Sequence, residues 1–309
     1  MLFSKSTFVL AILVTLSARA DAPITAAALS PDRTQVVLGS QSGIEIRSWP
    51  ELTTSKKLTT ELANVHDLRF SPDGQTLLAA GGSPAESGAV EVLSWPEGKQ
   101  LRRVAEHSDV VYRVAWSPDG KRWATAGADG LCHVYSAESG VRMTRYQGHS
   151  RSVLSLAFLD DETIASVAAD QTVRLWEAAS GRHLRTLDNH YGAVSDLSVR
   201  PGDSELAGKV VATIGEDRTV RLWQPAIGRL MRFARLSSTP RAVAWSPNGD
   251  RLFVGCNDGR IRAIDPDTME IVGEIAALKG RIHELGVDPQ RGQFLVGGEG
   301  GCECVKSIP

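Results

Sequence analysis

A short proline-centred turn recurs along this 309-residue chain, and its spacing limits the possible folds more than any single residue does. Ser30-Pro31-Asp32, Ser71-Pro72-Asp73-Gly74, Ser117-Pro118-Asp119-Gly120, Ser246-Pro247-Asn248-Gly249 and Asp288-Pro289 share it. Arg200-Pro201-Gly202 is a variant, and Leu159-Asp160-Asp161 fills the remaining slot without proline. Taken at the proline position the sites are 31, 72, 118, 160, 201, 247 and 289, with intervals of 41, 46, 42, 41, 46 and 42 residues. A fixed period of about 40–45 residues marks a repeat array. Length alone would suggest two ordinary domains, but the period overrides that reading.

The fourth repeat shows the unit. Gly148-His149 opens it, then Val153–Phe158, Thr163–Ala168, Thr172–Trp176 and His183–Leu187 follow as β-rich segments separated by turn residues. One such sheet cannot bury both faces alone. Neighbouring sheets arranged radially cover each other, which predicts an all-β, seven-bladed β-propeller of four-stranded antiparallel blades.

Thr-Val-Arg-Leu-Trp occurs at Thr172–Trp176 and again at Thr219–Trp223, with related strand ends Arg47-Ser48-Trp49, Leu93-Ser94-Trp95 and His133-Val134-Tyr135. In these residues the chain resembles the WD-repeat family over about residues 22–309. No repeat carries the literal Trp-Asp pair: Glu177, Gln224 or Pro50 follows instead. The resemblance implies a buried relay of His, Ser/Thr, Asp and Trp in each complete repeat. Two sets are complete: His149, Ser166, Asp170, Trp176 and His190, Thr213, Asp217, Trp223. A third has His107, Thr125 and Asp129 with Tyr135 in the Trp place, and the sixth repeat keeps Asp258. These are the residue types of a hydrolase triad. A nucleophile, however, is normally one site with its own oxyanion hole, so a set that recurs blade by blade reads as structural.

The N-terminus breaks the pattern. Lys5, the apolar run Phe8–Leu16 and the Ala18-Arg19-Ala20 end describe a secretory signal peptide cleaved after Ala20, leaving 21–309 as the seven-repeat body. The run is too short to span a bilayer, so no membrane span remains after cleavage. The alternative is an uncleaved cytosolic chain in which residues 12–19 complete the last blade. If the leader is removed, the last blade has three strands. Cys132, Cys256, Cys302 and Cys304 lack paired zinc-site spacing and read as small buried hydrophobes; no disulfide pairing follows from their positions. A formal charge of −2 without a basic run gives no footprint for nucleic acid.

The expected function is an exported, non-catalytic scaffold that binds protein partners of unknown identity and needs no cofactor. By the family resemblance, the start of each inner strand lies on the face used for partners, and the register gives Thr25, His66, Tyr112, Leu154, Ser195, Arg241 and His283. Of these, His66, Tyr112, Arg241 and His283 have interface-anchor chemistry. The lengthened turn with Ser83, Pro84 and Glu86 is a further partner candidate, and the resemblance implies that the lengthened 200–209 turn emerges on the opposite face. The competing reading is a propeller enzyme of lactonase, lyase or quinoprotein type using the central channel. Its only carboxylate candidates, Asp67, Asp196 and Glu284, fall in blades two, five and seven, poor spacing for one ion.

Overall fold

A computed structural model describes residues 22–202 and 209–308. The signal-peptide reading, and residues 12–19 as a closing strand, lie outside the described residues. Seven antiparallel sheets follow one another along the chain, each a simple up-and-down meander. The inner strands are Ala26–Leu29, Val65–Phe70, Val111–Trp116, Val153–Phe158, Val194–Val199, Pro240–Trp245 and Ile282–Asp288. Among the described residues six sheets have four strands and the seventh has three, Ile282–Asp288, Gln293–Gly298 and Gly301–Lys306. No helix among the described residues is long and apolar enough to cross a membrane.

The core lies between blades rather than within one. Val167, Val173 and Leu175 of blade four pack with Leu197, Val211 and Trp223 of blade five. Phe253 of blade six meets Phe294 of blade seven edge to face, ring centroids 4.7 Å apart. Second strands are therefore buried on both faces and read as continuous apolar runs, such as Thr163–Ala168.

The proline turns, and Leu159-Asp160-Asp161 in blade four, link the first two strands of the blades. Ser71 Oγ donates to Asp73 at 2.5 Å and Ser117 Oγ to Asp119 at 2.6 Å, while Gly74 and Gly120 close the turns at φ +72° and +69°. Blade one places Arg33 in that glycine slot at φ 55°, a conformation that costs a side-chain-bearing residue about 1–2 kcal/mol. Its guanidinium reaches Asp288 of blade seven at 3.4 Å. Asp288 stands where blades one, two, three and six have Ser30, Ser71, Ser117 and Ser246. It is fully buried and also accepts from Trp49 Nε1 at 2.8 Å and Arg291 at 3.2 Å. Burial opposes its ionisation, but these donors and Gln290 N–H hold the carboxyl below its usual range. Together with the Ile24 N–H bond to Gly298 O at 3.0 Å, this lock joins the first and last blades.

Cys132 and Cys256 are buried as expected, but Cys302 and Cys304 are only half-buried; all four are free thiols. The expectation fails in blade seven because no fourth strand among the described residues covers Gly301–Lys306.

Candidate functional site

The inner strands share one irregularity that builds a ring. Pairing with the second strand skips a residue between Val65 and Asp67, Val153 and Ser155, Val194 and Asp196, Pro240 and Ala242, and Ile282 and Glu284. In blade three the skip falls at Tyr112, between Val111 and Arg113. The extra residues are thus His66, Tyr112, Leu154, Ser195, Arg241 and His283, and Thr25 holds the matching place just before Ala26–Leu29. A bulge re-aims its side chain out of the regular pleat, and all seven are half-buried at one mouth of the channel.

Within this ring His66 and Tyr112 meet edge to face at 5.5 Å. Arg241 donates to Asn257 Oδ1 at 2.8 Å and lies 3.4 Å from Glu216. Burial depresses the pKa of both His66 and His283; Asp67 partly offsets it for His66, and Glu299 for His283. Both imidazoles are accordingly neutral at neutral pH. The lengthened turn bearing Ser83, Pro84 and Glu86 emerges on the same face, and Ala85 N–H bonds Asp109 of blade three at 2.8 Å. The lengthened 200–209 turn starts from the opposite end of its inner strand, with residues 203–208 outside the described set.

The relay sets occupy the corners between strands. His149 Nδ1 lies 3.0 Å from Asp170, Ser166 Oγ is 2.8 Å from His149 Nε2, and Trp176 Nε1 donates to the same hydroxyl at 3.1 Å. In blade five His190 lies 3.0 Å from Asp217, and Thr213 is 2.8 Å from both His190 Nε2 and Trp223 Nε1. Burial pushes His190 down to about 4 despite Asp217, so its neutral ring accepts from Thr213. Burial also opposes ionisation of Asp217, yet bonds from Thr219 and Tyr191 N–H bring it to about 2. Ser166 and Thr213 are completely buried, which leaves no path for a substrate. In blade three His107 keeps Thr125 at 2.7 Å and Asp129 at 3.0 Å, but the Tyr135 hydroxyl pairs with His133 instead.

Beneath the ring lies an arrangement that repeat-by-repeat reading missed. The next residue of each inner strand forms the column Ala26, Asp67, Arg113, Ser155, Asp196, Ala242 and Glu284. Arg113 reaches across the axis to Asp196, to Glu284 at 3.2 Å and to Asp67 at 3.5 Å. Arg69 joins Asp67 at 3.1 Å and Glu284 at 3.2 Å. The three acids, read as poorly spaced for one ion, instead converge on a guanidinium. The signal was the lone cation in that column. Asp67 and Asp196 also accept the inner-edge N–H groups of Val114 at 2.9 Å and Val243 at 3.3 Å. Desolvation weighs against the Arg113 cation, but the three acids outweigh it and raise its pKa; burial raises that of Glu284. A cavity of about 410 Å³ opens on the far side, beside the small side chains of Ala115, Ala157, Ser198 and Ala244. Among the described residues no three His, Cys, Asp or Glu are placed to hold a metal ion.

The model of the WD domain, G-beta repeat, matches residues 98–136, 140–177 and 181–224, and that of the anaphase-promoting complex subunit 4 WD40 domain matches 210–287. An uncharacterised WD repeat-containing protein of Synechocystis is 35% identical over 85 residues, 27% of this chain and 24% of that protein. The guanine nucleotide-binding protein subunit beta-1 of Caenorhabditis briggsae is 34% identical over 82 residues, 25% of this chain and 24% of the relative. A guanine nucleotide-binding protein subunit beta of Lymnaea stagnalis is 25% identical over 164 residues, 52% of this chain and 47% of the relative. The matches thus span less than half the length of these relatives. Family models, repeat period and seven radial sheets agree: the chain belongs to the WD-repeat family of β-propellers.

Proposed function

We propose that this propeller is a non-catalytic protein-interaction scaffold working outside the cytosol after loss of residues 1–20. The observation that carries the scaffold reading is the ring of bulged residues at one channel mouth. It combines a cation, two neutral imidazoles and a phenol on a rigid rim, the mixture that anchors interfaces. The hydroxyl–imidazole–carboxylate sets are sealed in seams, and the channel carboxylates are engaged by Arg113 and Arg69. Similarity to guanine nucleotide-binding protein beta subunits, members of larger assemblies by name, supports the same reading.

Crosslinking capture from the native host with wild-type chain and with a Tyr112→Ala, Arg241→Ala double variant tests the rim. The expected result is a protein retained by the first and lost by the second, with unchanged thermal unfolding. Equal capture by both removes the rim from the interface. Export rests on the Phe8–Leu16 run and the Ala-x-Ala end. Intact mass from separated cell fractions tests it: a chain beginning at Asp21 in an exported fraction is expected, and one beginning at Met1 in the cytosol overturns it.

A further inference from the structure

Blade five presents a surface unlike that of its siblings. Its outer strand, Arg229–Arg235, is the last in the sheet, so its outward backbone groups have no strand partner. Arg229, Arg232 and Arg235 are exposed along it, and Arg218 is exposed in the turn whose carbonyl accepts Leu236 N–H. Among the described residues none of these four guanidinium groups has a hydrogen-bond or ion-pair partner. Arg232 approaches Asp265 of blade six closely enough to favour that carboxylate's ionised form, after the larger effects of Asp267 N–H, Thr268 N–H and Arg251.

Several other outer strands find partners for their charges. In blade two Arg102 bonds Glu138 O and Arg103 pairs with Glu61. In blade three Arg142 pairs with Glu106. In blade six Glu274 engages Arg260 and Arg262. The outer strands of blades one, three and four also lack an acid but carry at most two Lys or Arg each, whereas that of blade five carries three arginines and no acid.

Exposed aromatics flank the basic strand. Phe233 is 58% exposed and Tyr191 86%, and Arg221 lies over both rings, 5.6 Å and 5.9 Å from their centroids. Phe233 pairs across from Arg221 and Arg235 from Thr219, so these side chains share one face of the sheet. Arg232, opposite Leu222, lies on the other. An incoming strand would therefore meet cations on both faces and an aromatic platform on one.

We propose that this edge docks an extended acidic segment of a partner protein by strand addition. Main-chain bonds to the free edge would give affinity, and alternating carboxylates would read the arginines. A seven-residue strand offers about 20 Å of edge. The edge uses none of the bulged residues, so it is tested separately from the rim reading.

The test is fluorescence anisotropy of the whole folded chain with a labelled peptide of alternating glutamate and valine. Three comparisons accompany it: a lysine–valine peptide, a glutamate–valine peptide N-methylated at every second residue, and phosphatidylserine vesicles. The expected result is binding of the first peptide only, weakened at least about tenfold by Arg232→Glu with Arg235→Glu. Circular dichroism should show the reversed variant folded. No binding, or binding indifferent to the reversal, overturns the proposal. Equal binding of the N-methylated peptide overturns strand addition. Vesicle binding without peptide binding assigns the patch to a lipid surface and overturns the proposal.

Discussion

In blade four the third strand, Val173–Glu177, lies between two neighbours, and Val173, Leu175 and Trp176 are buried; in blade seven the matching strand, Gly301–Lys306, has one neighbour among the described residues and no buried residue. Blade four is pinned on the rim side by Ser166 holding His149 and Trp176. Blade seven is pinned near the opposite face, where Asp288 gathers Arg33, Trp49 and Arg291. Interior blades thus rely on residues that obey the repeat. The joint between the two ends relies on residues that depart from it: Arg33 for a glycine and Asp288 for a serine.

Trp176→Ala should have the largest effect, about 3–5 kcal/mol in denaturant titration, because it empties a fully buried site packed from both sides. A loss below 1 kcal/mol would break the contrast with blade seven. Asp288→Asn should cost about 1–3 kcal/mol. Hydrogen exchange should rise in Ala26–Leu29 and Ile282–Asp288 while Val153–Phe158 keeps its protection. Equal loss in all three strands would show that the joint is no weaker than the interior.

Acid should separate the two regions further. His190 has its folded pKa lowered to about 4, so the unfolded chain binds the proton first. Its contribution is whole above the ordinary value of 6.5 and is lost as pH falls toward 4, with a slope of up to ~1.4 kcal/mol per pH unit. His190→Gln should flatten that slope, and an unchanged slope would show that His190 does not carry it. Asp217 acts lower, its contribution present above 3.8 and lost as pH falls toward 2. Glu303→Ala, on the uncovered strand, should stay within about 0.5 kcal/mol; a larger cost would reveal a neighbour covering that strand.

Much of this was legible in the chain. The proline period located seven inner strands, and the count from Gly-His found the bulged position in the six that have one, because the bulge recurs at the same place. The Thr-Val-Arg-Leu-Trp segments announced the complete relays. Two features escaped because they join residues distant in sequence and belong to no single repeat, and a third for another reason. Asp288 was read only as part of a turn, though its partners include Arg33 and Trp49 from the other end of the chain. Asp67, Asp196 and Glu284 were judged by blade number, whereas a long arginine crosses the narrow axis between them. The basic edge of blade five passed unnoticed because three arginines in seven residues look ordinary until it is visible that none has a bonded partner among the described residues.

Arg113 gives the ring a hub. One cation from blade three is shared by acids of blades two, five and seven, two of which are not its neighbours. Repeat arrays ordinarily grow or shrink by copying or losing a unit, since each unit answers only to the next. Here a lost or duplicated blade would turn those acids away from their counterion and strand charge on the axis. The hub ties the number and order of the blades to one another, and the seven units can be inherited only as a set.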